Sequence, residues 1–281
     1  MARMRKQATH ALIGLDMHLS RIISANTAGL YRLHYGNHIV QKNRAGNECI
    51  VRDGSWECGY KKLGNLLDAK LVNTIVEKYN SLIDDPHVFI RRANLTKAFM
   101  ETGKEYNRIL RPVGKYIPEI NDIIANQTLK SEIESYFGTP FRALTSEAWR
   151  NWHVTPELER RGVLSNHWHH DSFRADTVKL YMLMHDTELR HGPFHFLDAQ
   201  KSKQAVRASK TFRIDKEVPD GVSPSDVNRL TGKKGDLMLI NTIHCLHRAG
   251  NPADGESRDI LELRLLSVAQ PGSTLTFDQA N

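Results

Sequence analysis

Two regimes of hydrophobic patterning follow one another along the chain. Leu71, Val72, Ile75, Val76 and Tyr79 recur at helical spacing, Asp68 stands where its side chain can cap the first turn, and Pro86 closes the run. A second helix is predicted from about Asn94 to Leu110 with Pro112 as its stop, and a third from Ser131 to Phe137 before Gly138-Thr139-Pro140. Beyond Phe141 the pattern changes to strands. Thr177 to His185 and Leu237 to Asn241 are apolar runs, and Arg258 to Val268 alternates in part. Helices first and strands later predict an α+β chain with helices packed outside a β-sandwich barrel. Residues 1–60 are rich in Gly, Asn and His with little periodicity and read as an extension wrapping the core. The polar stretch Ser202 to Lys234 holds Pro219-Asp220-Gly221 and Ser223-Pro224-Ser225, and reads as a loop placed to act as a lid.

Length and composition narrow this picture. At 281 residues the chain suits one large β-barrel domain with helical additions: residues 1–60 an extension, 61–140 mainly helical, 141–268 the barrel core. A hydrophobic share of 40% and a charged share of 25% are those of an ordinary globular protein. No apolar run approaches membrane-spanning length, and Met1-Ala2-Arg3-Met4-Arg5-Lys6 lacks a signal-peptide core behind it, so no membrane association and a cytoplasmic location are expected. Cys49, Cys58 and Cys245 form no Cys-x-x-Cys pair and cannot all pair internally, which fits reduced thiols. A net charge of +7 raises the question of polyanions. The basic residues are spread through Arg91-Arg92, Arg160-Arg161, Lys201 to Lys210 and Lys233-Lys234, with no nucleic-acid motif or stacking platform. No nucleic-acid partner is expected, and an anionic small-molecule substrate is favoured over a neutral one.

Candidate chemistry centres on Trp168-His169-His170-Asp171. Residues i and i+2 of a strand share a face, so His169 and Asp171 can bind one metal while His170 points away. A third ligand must come from a neighbouring strand, and Gly235 to Asn241 leads into His244-Cys245-Leu246-His247, which offers two histidines. Two imidazoles and one carboxylate form the ligand set of non-haem iron(II) sites that keep positions open for substrates and oxygen. With 14 histidines, accidental His-x-Asp pairs are common, so the downstream partners carry the weight. A zinc site involving Cys245 would need a fourth ligand at matching spacing, and none is present. Arg258 offers the permanently charged fork that a buried dicarboxylate requires, with Arg264, of the same strand parity, in reserve. Lys179 has the parity opposite to Val178, Leu180 and Met182 and faces either the barrel interior or solvent. Arg150 reads equally well as a substrate contact or as a surface arginine, and Trp168 as packing beside the site.

These blocks resemble the phytanoyl-CoA dioxygenase family. Trp168-His169-His170-Asp171, Val178 to Asp186 and Gly192-Pro193-Phe194-His195-Phe196 look like consecutive family blocks. Gly235 to Ile240 through His247-Arg248-Ala249-Gly250-Asn251, closed by Arg258, is similar to its distal-histidine and arginine block. The resemblance spans roughly residues 140–268. Two departures stand out: Leu197-Asp198-Ala199-Gln200 replaces the family's common Gly-Ser-His turn, and Ala249 occupies a position often held by a small hydroxyl residue.

The resemblance implies a double-stranded β-helix, that is a cupin-like jelly roll, with flanking helices, and iron(II)- and 2-oxoglutarate-dependent oxygenation that consumes O2 and releases succinate and carbon dioxide. It implies His169, Asp171 and His247, rather than His244, as the Fe(II) ligands, and Arg258 as the residue holding the distal carboxylate of 2-oxoglutarate. An acidic ligand at Asp171 favours hydroxylation, desaturation or ring formation over halogenation. Two other classes remain open: a non-catalytic jelly-roll binding protein, since a fold does not establish activity, and a cupin-like metal-dependent isomerase or hydrolase.

Overall fold

The computed structural model describes residues 58–137, 141–171, 177–211 and 213–267. Most of the expected N-terminal extension (1–57), the Gly138-Thr139-Pro140 stop and the continuation at Val268 lie outside the described residues. The fold is a jelly roll with helices packed on one face. A six-stranded sheet runs β1-β9-β5-β11-β3-β2 and a five-stranded sheet runs β7-β4-β10-β6-β8. The strands of the larger sheet are β1 (Tyr60–Gly64), β2 (Asn107–Leu110), β3 (Phe141–Trp152), β5 (Thr177–Leu183), β9 (Leu237–Ile240) and β11 (Ser257–Ser267). The smaller sheet holds β4 (Trp168–His169), β6 (Phe194–Phe196), β7 (Arg213–Ile214), β8 (Asn228–Arg229) and β10 (His247–Ala249).

The first predicted helix is present as α1 (Ala69–Ile83), with Asp68 accepting from the backbone N–H of Lys70 and Leu71. Val72, Ile75, Tyr79 and Ile83 form its buried stripe. The second prediction ran too far. Helix α2 (Ala93–Thr102) ends where Gly103 takes φ 68°, and Asn107–Leu110 is strand β2. Periodicity missed this because Tyr106, Asn107, Ile109 and Leu110 are buried in an order that a helix can mimic, while their partners lie far away on β3. Helix α3 (Ile120–Ala125) precedes α4, which begins at Gln127 and ends at Phe137. A short α5 (Pro156–Arg160) follows β3.

The stretch Ser202 to Lys234 is not the expected loop. It contains most of α6 (Ala199–Ser209) together with β7 and β8. Helix α6 escaped detection because its buried positions are the small residues Ala199, Ser202 and Ala205 rather than large apolar ones. Val218, Val222 and Val227 pack with Trp168, Ala205 and Leu246, and Trp168 Nε1 donates to the carbonyls of Lys216 and Glu217 at 3.0 and 3.2 Å. This segment therefore covers the outer face of the smaller sheet, opposite His169 and His247, and does not cap the barrel as a lid.

Strand β5 shows how the layers divide. All seven residues are buried, with Val178, Leu180 and Met182 packed towards the helices and Tyr181 and Leu183 in the cluster between the sheets. Both faces are covered, which explains a continuous apolar run instead of alternation. The central strand β11 pairs with β5 on one side and β3 on the other. Leu261, Leu263 and Leu265 face the helices, leaving Arg258, Ile260, Glu262 and Arg264 on the interior face.

Arg150 is settled by the same division. It grips Asp259 through Nε at 2.8 Å and Nη2 at 2.9 Å, and Tyr79 of α1 donates to the same carboxylate at 3.2 Å. The pair lies on the helix-facing side and joins α1, β3 and β11, away from the barrel interior. Replacing Asp259 by Ala leaves a largely buried guanidinium and a buried phenol without their acceptor. A loss of roughly 3 kcal/mol is expected in urea unfolding, with the m-value unchanged; a loss below half that would show the grip to be dispensable.

Candidate metal centre

His169 and His247 face each other across the smaller sheet. Strands β4 and β10 are antiparallel and His247 is the register partner of His169, so both imidazoles project from one face at adjoining positions. Their ring centroids are 4.4 Å apart. Each ring is turned by a backbone carbonyl. His169 Nδ1 lies 2.8 Å from the His167 carbonyl and His247 Nδ1 lies 3.0 Å from that of Cys245. A carbonyl can only accept, so each Nδ1 carries the proton and each Nε2 keeps a free lone pair.

Asp171 completes the group by a route that strand parity did not foresee. Strand β4 ends at His169, and Asp171 is held instead by its backbone N–H, which donates to the Thr242 carbonyl at 3.0 Å. Its Oδ1 is 3.7 Å from His247 Nε2 and 4.0 Å from His169 Nε2. The three donor atoms lie within 4.8 Å of one another, the only such set of three or more His, Cys, Asp or Glu side chains found among the described residues. His244 does not join it; its backbone N–H binds Asn241, beyond the three-residue turn that precedes β10. His170 turns away from the group, with its Nδ1 buried, and burial next to His244 and His169 pushes its pKa down to about 3.

The electrostatics suit a cation. Burial lowers the pKa of His169 and, more strongly, of His247, so both rings are neutral ligands at neutral pH. Burial opposes ionisation of Asp171, yet Lys179 beside it holds its carboxyl well below the usual range. Lys179 Nζ is 2.7 Å from Asp171 Oδ2, which resolves its orientation as interior.

Arg258 sits at the start of β11, opposite Asn151 of β3, and is 4% exposed. One Nη donates to the carbonyls of Gly192 and Gly250, the latter at 3.1 Å. The Gly-Pro-Phe and Ala-Gly-Asn blocks meet here, and neither glycine has room for a side chain. A Cβ on Gly250 would stand 2.4 Å from the Pro193 carbonyl oxygen, and one on Gly192, at φ 59°, 2.3 Å from Asn251. Burial pulls the Arg258 guanidinium down to about 10, which leaves it charged, and its Nε–H is buried without a protein acceptor. Trp149 Nε1 on the adjoining β3 is likewise buried and unpaired. An anionic group with oxygens to spare is what such donors lack.

Arg264, the reserve candidate, is engaged elsewhere: its Nε donates to Glu262. Glu262 itself was missed from the sequence, although its parity with Arg258 and Arg264 on an apolar strand was a readable signal. Arg213 was missed as well. It is the register partner of His169 on β7 and so belongs to the same face of the sheet.

No known family profile matches the chain, and no curated protein sequence does. Solved structures do match in fold. An α-ketoglutarate-dependent non-haem epimerase, SnoN from nogalamycin biosynthesis, aligns over 81% of this chain and 84% of its own at 14% identity and a TM-score of 0.51. EctD from S. alaskensis, solved with 2-oxoglutarate and 5-hydroxyectoine, aligns over 77% and 75% at 14% identity and a TM-score of 0.52. A non-haem monooxygenase, ThoJ, aligns over 76% of each chain at 9% identity and a TM-score of 0.51. These likenesses place the chain in the double-stranded β-helix fold. No helix among the described residues is long and apolar enough to cross a membrane.

The depressed histidine pKa values have a measurable sign. A free imidazole begins to lose its metal to protons near pH 6.5, whereas here the neutral form persists to lower pH. Affinity for Mn(II), measured by isothermal titration, is expected to stay level from pH 8 to about 6.5 and to fall only below that. A fall of about fourfold between pH 8 and 6.5, which two unshifted imidazoles would give, would contradict the buried, neutral assignment.

Proposed function

We propose that the protein is an iron(II)- and 2-oxoglutarate-dependent oxygenase of the phytanoyl-CoA dioxygenase type, built as a single domain, that oxidises a small anionic substrate. The observation that carries this reading is the conjunction of a converging His169-Asp171-His247 donor set with a buried Arg258 whose Nε–H has no protein acceptor. Two nitrogens and one carboxylate oxygen are the donor chemistry iron(II) accepts while keeping positions open. SnoN and EctD, which share the fold, were solved with 2-oxoglutarate, SnoN with Fe3+ as well. A non-catalytic jelly roll has no need of three converging donors together with a buried unsatisfied guanidinium.

In this reading His169, Asp171 and His247 hold the iron, which when bound supplies the oxygen-activating chemistry. Arg258 donates to the distal carboxylate of 2-oxoglutarate, with Trp149 Nε1 as a second donor on the adjoining strand. Phe194, whose ring lies 5.3 Å from His247 and 5.0 Å from Tyr181, walls the space between β10 and β5 and excludes water. Arg213, on the face of His169, is placed to meet an anionic substrate. Hydroxylation is the outcome we favour, although a radical started at a substrate carbon also serves epimerisation, the reaction named for SnoN.

Anaerobic addition of Fe(II) and 2-oxoglutarate is expected to give a visible metal-to-ligand charge-transfer band, and admission of oxygen to give succinate. Absence of the band together with no succinate under oxygen would end the enzyme reading. His169→Ala should abolish both. Arg258→Lys keeps the charge but loses the fork, and should raise the 2-oxoglutarate concentration needed for half-maximal succinate release by roughly 10- to 100-fold. An unchanged requirement would remove Arg258 from the cosubstrate site.

A further inference from the structure

Asp171 has two carboxylate oxygens, and the structure divides them. Oδ1 faces the Nε2 atoms of both histidines, at 3.7 and 4.0 Å. Oδ2 is 2.7 Å from Lys179 Nζ, which also lies 2.9 Å from Glu262 Oε2. That second carboxylate is itself fixed: Glu262 is fully buried and accepts from Tyr181 Oη at 3.0 Å and from Arg264 Nε. Arg264 continues to Glu147 at 3.6 Å and Glu147 to Arg111 at 3.2 Å. Lys179 is therefore an ammonium pinned on one side by an immobile interior anchor, with its other side spent on one oxygen of the metal-ligand carboxylate. It stands on β5, which is buried along its whole length between the helices and the barrel interior.

We infer that Lys179 is a positioning residue that confines Asp171 to binding through one oxygen. The inference rests on the oxygenase reading above. An octahedral ion holding two imidazoles and one carboxylate oxygen keeps three positions free. A 2-oxo acid chelate takes two and oxygen the third. A carboxylate bound through both oxygens would remove one of them, and the chemistry would stall with its cosubstrate or its oxidant unbound. A merely structural Lys179 would need Glu262 alone and would leave the coordination number indifferent to its removal.

The test counts positions directly in the Mn(II)-loaded protein, by water-proton relaxation, for the wild type, Lys179→Met and Lys179→Arg. The wild type is expected to hold three exchangeable waters, Lys179→Met two, and Lys179→Arg three. The affinity of the Mn(II) form for 2-oxoglutarate should fall roughly 10- to 100-fold in Lys179→Met and recover in Lys179→Arg. Equal water counts in the wild type and Lys179→Met would overturn the inference. If Lys179→Met does not fold, a crystal structure of the Mn(II)-loaded wild type decides: Oδ2 of Asp171 off the metal and on Lys179 supports it, and both oxygens on the metal overturn it. A wild type that binds no divalent cation would instead sink the metal-centre reading itself, a failure distinguishable from the others.

Discussion

The antiparallel pairing of β4 with β10 is the constraint on which the rest of the site depends. It sets His247 opposite His169, and a register slip of one residue would send one imidazole to the outer face of the sheet with Trp168 and Leu246. The pairing is short, since β4 has two residues and β10 three. What fixes it is burial on the far side, where Trp168 and Leu246 are packed under α6 and the segment that follows it. The outer face thus sets the register, and the inner face presents the two imidazoles. The larger sheet, backed by α1, α3 and α4 and a continuous hydrophobic cluster, supplies the rigid wall against which this smaller sheet is placed.

The barrel interior is unusual in carrying a chain of charge where a sandwich normally holds apolar side chains. Asp171, Glu262 and Glu147 alternate with Lys179, Arg264 and Arg111, so that acids and bases match in number along the chain. Desolvating such groups is costly, and only a fully paired arrangement offsets it. The pairing also removes freedom. Between the ends of the series, Asp171 and the half-exposed Arg111, each side chain is held by its neighbours from two sides.

The elements whose buried positions carry large apolar residues were readable from the sequence. Helix α1, with its Asp68 cap, and strands β5, β9 and β11 follow from apolar spacing alone. Those whose pattern is set by distant partners were not. Strand β2 was absorbed into a helix because its burial depends on β3, and α6 was passed over because it packs through alanine and serine. The donor trio was legible as types and order, and the choice of His247 over His244 came from resemblance to a family; His247 lies within β10 while His244 is in the turn before it. Asp171 was chosen for strand parity, yet no strand continues that far. A single backbone bond to Thr242 does the placing. Glu262 and the contact made by Lys179 needed the barrel to close before they could be seen.

Arg258 carries a double commitment. One end of its guanidinium ties the Gly192 turn to the Gly250 turn through two backbone carbonyls, while its Nε–H is left buried without a protein acceptor. On the proposed reading, ligand recognition and loop closure are therefore vested in a single side chain. Selection could vary the residues around the mouth of the barrel freely, yet could not exchange the arginine for a differently shaped anion receptor without also rebuilding two turns. An evolutionary record of this fold in which substrates diversify while the anion at its base stays the same would follow from that arrangement.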